Sequence, residues 1–137
     1  GLESEWLVAD LVDALDGWRA EPAGLADDFL RGIDLFARDP NGLRHGLQVR
    51  LEADPARHDA RARRPVPIVS PVTLARAAGA EDVAGAAANW HRRILDALAA
   101  RLEHPAGPIA ALDPAARASM DALLRSVPAM TPSRNLR

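Results

Sequence analysis

The longest hydrophobic pattern lies between residues 81 and 103, where apolar side chains recur every three or four positions. The stripe comprises Val83, Ala87, Trp90, Ile94, Leu98 and Leu102. This spacing predicts one apolar face on an α-helix of about six turns. His104 and Pro105 should end it, because the residue before a proline resists the α-helical region. We expect this helix to be the central packing partner of the fold.

Two shorter helical stripes precede it. The first comprises Leu7, Leu11, Leu15 and Trp18, and the second Leu25, Phe29, Ile33 and Phe36. Ser4 is the expected N-cap of the first helix, and Pro22 fits the first turn of the second. Residues 39–42 read Asp-Pro-Asn-Gly, a strong turn sequence. The simplest interpretation of residues 4–38 is therefore two antiparallel helices.

The pattern changes after this turn. Leu43, Leu47, Val49, Leu51 and Ala53 alternate with polar or small residues. Alternation favours a half-buried strand. A helix through Leu43, Leu47 and Leu51 is the competing interpretation. Three prolines should keep residues 66–69 extended, as a short edge strand beside residues 46–52 or as a polyproline-like crossing.

Later helix boundaries are marked by capping residues. Ser70 before Pro71 predicts a helix start, and Gly79 predicts its end. Asp113 before Pro114 repeats the first device, and the last stripe comprises Ala116, Met120, Leu123 and Val127. We predict a mainly α fold, a small bundle of four or five helices with a short extended or two-stranded element between residues 43 and 70. Residues 1–127 form the single domain and residues 128–137 an extended tail.

Composition excludes several classes of chemistry. The 137 residues suit one domain, and they include no Lys, Cys or Tyr. A Schiff base, a thiol nucleophile, a disulfide and a thiolate metal site are therefore excluded. No apolar run approaches the ~18–20 residues that cross a bilayer, and no signal peptide pattern begins the chain. We expect a soluble, cytoplasmic protein that does not engage a membrane.

Charge is unevenly distributed along the chain. Residues 1–42 hold ten acids and three Arg, whereas residues 43–64 hold six Arg and three acids. Residues 65–137 hold eight Arg and six acids. The three segments together give the net charge of −2. This asymmetry predicts contact between the segments, or head-to-tail contact between copies.

One segment superficially resembles a helix-turn-helix DNA-binding motif. Thr73, Leu74 and Ala75 precede Gly79 at a spacing that suits a tight turn between two helices. The expected apolar positions ten and thirteen residues after Ala75 are, however, Gly85 and Ala88. Glu81 and Asp82 would also place negative charge against phosphates. The pattern therefore favours two joined helices and disfavours DNA as a partner.

An arginine-rich segment provides candidate anion-binding or partner-binding side chains. They are Arg57, Arg61, Arg63 and Arg64. On a helix three of them would share a face and could bind a carboxylate or phosphate with paired hydrogen bonds. The competing interpretation is a solvated stretch that pairs with the acidic N-terminal segment.

His45 and His58 are the candidate catalytic residues if the chain is an enzyme, because imidazole titrates near neutral pH. His45 lies on the apolar side of its predicted strand, so the simpler interpretation is a buried histidine bonded to backbone. No two of the four histidines are three or four residues apart, and we predict neither a metal site nor a cofactor. The row of Asp10, Asp13 and Asp16 suits a solvated helix face better than a cation site.

Two functional hypotheses follow. The first is a helical interaction module that binds a protein or peptide partner, or a second copy of itself as a homodimer through the Ala-rich half of the long helix or the first helix pair. The second is a small cofactor-independent enzyme with tailoring or cyclising acid–base chemistry on a peptide or small anionic substrate. In it, His45 or His58 would move protons while arginines hold the anion.

Overall fold

The structure is a computed structural model that describes residues 2–54, 66–105 and 114–129, without the side chains of residues 2, 3, 29 and 30. These residues form five helices and four strands. In chain order they are α1 (Leu2–Asp13), β1 (Arg19–Pro22), α2 (Leu25–Arg31), β2 (Leu35–Arg38), β3 (Arg44–Val49), β4 (Ile68–Val69), α3 (Pro71–Ala77), α4 (Val83–Glu103) and α5 (Pro114–Ser126). The fold is therefore α/β, and the predicted mainly α bundle is wrong.

The four strands form one mixed sheet in the order β1-β2-β3-β4. β2 pairs antiparallel with β1 and with β3, and the second pairing places Ala37 opposite His45. β3 and β4 are parallel, with Val49 opposite Val69. The predicted strand within residues 43–53 is confirmed at Arg44–Val49, and the predicted edge strand beside it is confirmed at Ile68–Val69. The prediction that the first strand is half-buried is wrong: five of its six residues are buried, including Gln48, because it lies inside a larger sheet than expected.

The predicted pair of helices over residues 4–38 is wrong. α1 begins at Leu2, so Ser4 is a buried residue inside the helix and not its N-cap. After α1 the chain turns through Gly17, whose φ of 81° favours glycine, into strand β1. α2 has only seven residues and ends at Gly32, also at positive φ. Phe36 lies in β2 and not on a helix.

The predicted turn at residues 39–42 is confirmed, but it connects strand β2, and not a helix, to β3. The Asp39 carboxylate accepts hydrogen bonds from the backbone N–H groups of Asn41 and Leu43, both at 2.9 Å. Gly42 has a φ of 84°, a conformation that side chains other than glycine rarely adopt. This side-chain-supported turn sets the register of the hairpin.

The predicted start and end of α3 are confirmed. The Ser70 hydroxyl accepts from the Thr73 N–H, and the Thr73 hydroxyl accepts from the Ser70 N–H. This reciprocal capping box satisfies two backbone donors at the helix N-terminus. Gly79 follows the helix at a φ of 74°.

α1, and not the long helix, is the central packing element. It contacts three strands, β1, β2 and β3, and two helices, α4 and α5. One face of the helix is buried at Leu7, Val8, Leu11 and Val12, and Leu15 just after it is buried as well. α4 packs mainly against α3 and makes a smaller contact with α1.

The long helix itself is confirmed over Val83–Glu103, but its buried face differs from the predicted stripe at the C-terminal end. Buried residues are Ala87, Trp90, Ile94 and Ala97, whereas Leu102 is 62% exposed. Successive steps of four residues advance about 40° beyond a full turn, so the predicted stripe drifts away from the core. The last predicted stripe, on and after α5, is buried as expected.

Several predictions lie outside the described residues. They concern the arginine-rich segment with Arg57, His58, Arg61, Arg63 and Arg64, the cap at Asp113 and the tail from residue 130. Among the described helices, none combines the length and apolar composition needed to cross a bilayer.

Candidate functional site

A pocket of about 310 Å³ lies between α1 and the β1–β2 edge of the sheet. We call it the α1–β1 pocket. α1 contributes Glu5, Trp6, Ala9 and Asp13 to its wall. The sheet side contributes Ala20, Pro22, Asp34 and Leu35. The pocket thus combines three carboxyl groups with an apolar lining.

The α1 residues that line the pocket lie on the outer face of the helix. Glu5, Ala9 and Asp13 recur every four residues, so they share one face while the leucine face is buried. The Trp6 side chain is 48% exposed. The Asp13 carboxylate already accepts a hydrogen bond of 2.7 Å from the Ala20 N–H, which ties α1 to the edge strand.

Asp34 is held just before β2. Its backbone N–H donates to the Leu47 carbonyl, and its Oδ2 accepts from the Val49 N–H at 2.8 Å and from Arg50 Nη1 at 3.2 Å. Burial nevertheless raises the pKa of the Asp34 carboxyl above its ordinary value. A hydrogen bond and the nearby charge of Asp28 raise it further, while Val49 and Arg50 act against the shift.

Glu5 shows the same perturbation. Burial raises the pKa of the Glu5 carboxyl, and the charges of Asp34 and Asp28 raise it further. Arg50 lowers this pKa, but by less than burial and the two acids together raise it. Partly buried carboxylates whose charges repel one another are a characteristic of binding and catalytic sites. The α1–β1 pocket is therefore suited to a cationic group.

Sequence reasoning missed this site. Glu5, Trp6 and Asp34 belong to no recognisable motif. The spacing of Glu5, Ala9 and Asp13 on one helical face was visible in the sequence. Their convergence with Asp34 depends on β1 and β2. The prediction placed β2 in the second helix and the residues of β1 at the junction of the two helices.

A second pocket, also of about 310 Å³, surrounds the predicted catalytic residue His45. It is lined by Trp18, Asp39, Pro40, Asn41, Leu124, Arg125 and Val127 as well as His45. The imidazole Nε2 lies 2.9 Å from Asp39 Oδ2, and Nδ1 lies 3.1 Å from the Val127 carbonyl oxygen. The Trp18 ring packs against the imidazole with centroids 5.4 Å apart.

Both ring nitrogens of His45 therefore face acceptors. Only an imidazole with hydrogen on both ring nitrogens can donate to the Asp39 carboxylate and to the Val127 carbonyl at once. The same hydrogen bond from His45 lowers the pKa of Asp39. A general base needs one ring nitrogen free for its substrate, and here Val127 occupies it. The geometry supports the buried, backbone-bonded histidine over the catalytic one.

Ion pairs join the acidic N-terminal segment to basic residues later in the chain, as the charge distribution predicted. Arg101 on α4 binds Asp10 on α1 at 3.1 Å. Arg44 lies 3.6 Å from Glu21 on β1 and covers the Phe36 ring at 3.7 Å. These contacts position α1 and the hairpin relative to the rest of the fold.

Within the described ranges, no three His, Asp or Glu side chains are grouped so that they could hold a metal ion. No family model, curated protein or solved structure matches this chain.

Proposed function

We propose that the protein is an interaction module that binds a protein or peptide partner by accepting a cationic group in the α1–β1 pocket. The observation that carries this proposal is the convergence of Glu5, Asp34 and the half-exposed Trp6 in one pocket. Both carboxyl groups have raised pKa values, because burial and neighbouring acids disfavour their charged forms: Asp34 and Asp28 act on Glu5, and Asp28 acts on Asp34. A bound cation would relieve that repulsion.

The lining favours an arginine or lysine side chain of a partner. A guanidinium donates charge-assisted hydrogen bonds to carboxylates and also stacks on an indole face, such as that of Trp6. Ala9, Pro22 and Leu35 would contact the apolar stem of the side chain. The volume is at the low end for ligand pockets, which suits one side chain better than a whole small-molecule ligand.

Calorimetric titration with capped tripeptides tests the proposal. An alanine–arginine–alanine peptide should bind, and the matched peptide with neutral citrulline should not. Glu5→Gln should weaken binding several-fold, because it removes charge and keeps the shape of the side chain. Asp16→Asn, an exposed carboxyl outside the pocket, is the matched control and should bind as the original chain does. Equal binding of both peptides would contradict the proposal.

Binding should depend on pH in a definite direction. A cation prefers the charged carboxylates, so its binding lowers the raised pKa values of Glu5 and Asp34 and releases protons. Affinity should be highest above those pKa values and should fall as pH decreases through them. Titrations in buffers of different ionisation enthalpy measure the released protons directly, and no proton release would count against the two carboxyls.

A second candidate function is acid–base catalysis at His45 on a small anionic substrate or peptide. One observation favours it: His45, Asp39 and Arg125 line the same pocket. It requires Val127 to release Nδ1. Nitrogen NMR of the His45 ring during titration with acetate and with phosphate tests this requirement. Saturable loss of the Nδ1 hydrogen bond supports the candidate, and unchanged ring signals contradict it.

A further inference from the structure

A second, unburied stripe of residues follows the outer face of α4, opposite its core-facing residues. Its members recur at alternating intervals of three and four: Gly85, Ala88, Arg92, Leu95, Ala99 and Leu102. All six are exposed, including two large apolar side chains, Leu95 at 48% and Leu102 at 62%. We call this set the outer seam. Alternating steps of three and four are the heptad spacing by which helices pack side by side.

We propose that the outer seam is the interface of a homodimer, in which α4 packs antiparallel against α4 of a second copy. The inference goes beyond the α1–β1 pocket and does not depend on it. An antiparallel pair related by a two-fold axis places Gly85 opposite Leu102 and Ala88 opposite Ala99. The large residue at one end of the seam thus meets the smallest residue at the other, which lets the backbones approach closely.

Charge favours the antiparallel orientation of the two α4 helices, and it favours a second copy of the chain as the partner of the outer seam. In a parallel pair Arg92 would face Arg92 of the second copy at the centre of the seam, which is repulsive. In the antiparallel pair Arg92 lies opposite Leu95 and next to Asp96 of the second copy. Arg92 and Asp96 are both exposed, and neither forms an ion pair with another described residue. The seam is therefore complementary to itself in shape and in charge.

The length of the seam predicts the strength of the dimer. α4 has 21 residues and is about 30 Å long. One helix pair of this length forms a small interface, so the dimer should dissociate on dilution. Antiparallel alignment also places opposite ends of the two helix dipoles together, which is favourable.

Sedimentation over a dilution series tests the dimer. The original chain should be dimeric when concentrated, and Leu95→Glu should be monomeric. Leu43→Glu is the matched control, because Leu43 is 49% exposed and Leu95 is 48% exposed. It should remain dimeric. A chain that stays monomeric at its highest soluble concentration, or a dimer that survives Leu95→Glu, would overturn the proposal.

Charge exchange tests the pairing of Arg92 with Asp96. Arg92→Glu and Asp96→Arg each place like charges together across the axis and should each weaken the dimer at least several-fold. The double variant Arg92→Glu with Asp96→Arg should restore it. Failure of the double variant to recover dimerisation would exclude this arrangement.

Disulfide formation tests the direction. The chain contains no cysteine, so introduced thiols report only on the designed contact. Ala88→Cys with Ala99→Cys should give covalent dimers, because the two positions face each other across the pair. Ala88→Cys alone should not, because the two thiols would lie about 16 Å apart along the axis. Covalent dimers of the single variant would show a parallel pair and overturn the antiparallel one.

Discussion

His45 Nδ1 in β3 lies 3.1 Å from the carbonyl oxygen of Val127, a residue 82 positions later in the chain. The other ring nitrogen lies 2.9 Å from the carboxylate of Asp39 in the hairpin turn. One imidazole therefore ties the turn, the strand and the segment after α5 together. Because both partners are acceptors, the tie is complete when both ring nitrogens carry protons.

Replacing His45 should destabilise the fold. His45→Ala leaves the Val127 carbonyl and the Asp39 carboxylate without their donor, and should lower the free energy of unfolding by about 2–3 kcal/mol. Urea denaturation measures the change. His104→Ala is the control, because His104 is exposed at the end of α4, and it should have little effect. Equal unfolding midpoints for the two variants would contradict a structural role for His45.

Stability should fall in acid partly through Asp39. The hydrogen bond from His45 lowers the pKa of Asp39 below its ordinary 3.8, so the folded state binds this proton less readily than the unfolded state. The stabilisation is present above pH 3.8 and is lost as pH falls through the lower folded pKa. Asp39→Asn should flatten this part of the stability profile, measured by urea unfolding at decreasing pH. If the stability of Asp39→Asn depended on pH as that of the original chain does, the hydrogen bond between Asp39 and His45 would not contribute to the loss of stability in acid.

Asp28 should control the carboxyls of the α1–β1 pocket from outside it. Its charge raises the pKa values of Asp34 and Glu5, so Asp28→Asn should lower both. A raised folded pKa means that stability is lost as pH rises through it, so the variant should lose less stability between acid and neutral pH. Carbon NMR of the carboxyl groups reads both values. Asp16→Asn is the control and should leave the pKa values of Asp34 and Glu5 unchanged. If Asp28→Asn also left both pKa values unchanged, Asp28 would not interact with these carboxyl groups.

The central position of α1 predicts a large cost for cavities in that helix. Leu7→Ala truncates a side chain that is 1% exposed in the hydrophobic core, and should lower the free energy of unfolding by about 2–5 kcal/mol. Leu25→Ala removes the same atoms from a position that is 89% exposed and should change stability by less than ~0.5 kcal/mol. Chemical denaturation of both variants gives the comparison. Similar small costs would place the core elsewhere.

The elements around the two pockets differ in how well the sequence predicts them. The turn at residues 39–42 and the strand after it were predictable, because Asp-Pro-Asn-Gly and the apolar alternation are local signals. β1 and β2 were not, because each has only four residues and β2 is buried at Leu35, Phe36 and Ala37 in succession. These three residues are consecutive apolar positions, so the sequence of β2 shows no alternation. Chance spacing of apolar residues then favoured a helix.

The sequence alone determined the elements whose signals lie within a few residues of one another. These are the hairpin turn, the capping box at Ser70, the glycine after α3 and the long helix from Val83 to Glu103. Tertiary structure decided what depends on distant partners. Arg19–Pro22 is a strand because β2 and the Asp13 carboxylate supply its hydrogen-bond partners, and Glu5 meets Asp34 because that strand packs beside α1. The physical reason is that a short segment adopts the conformation that satisfies its buried backbone groups, and those partners come from elsewhere in the fold.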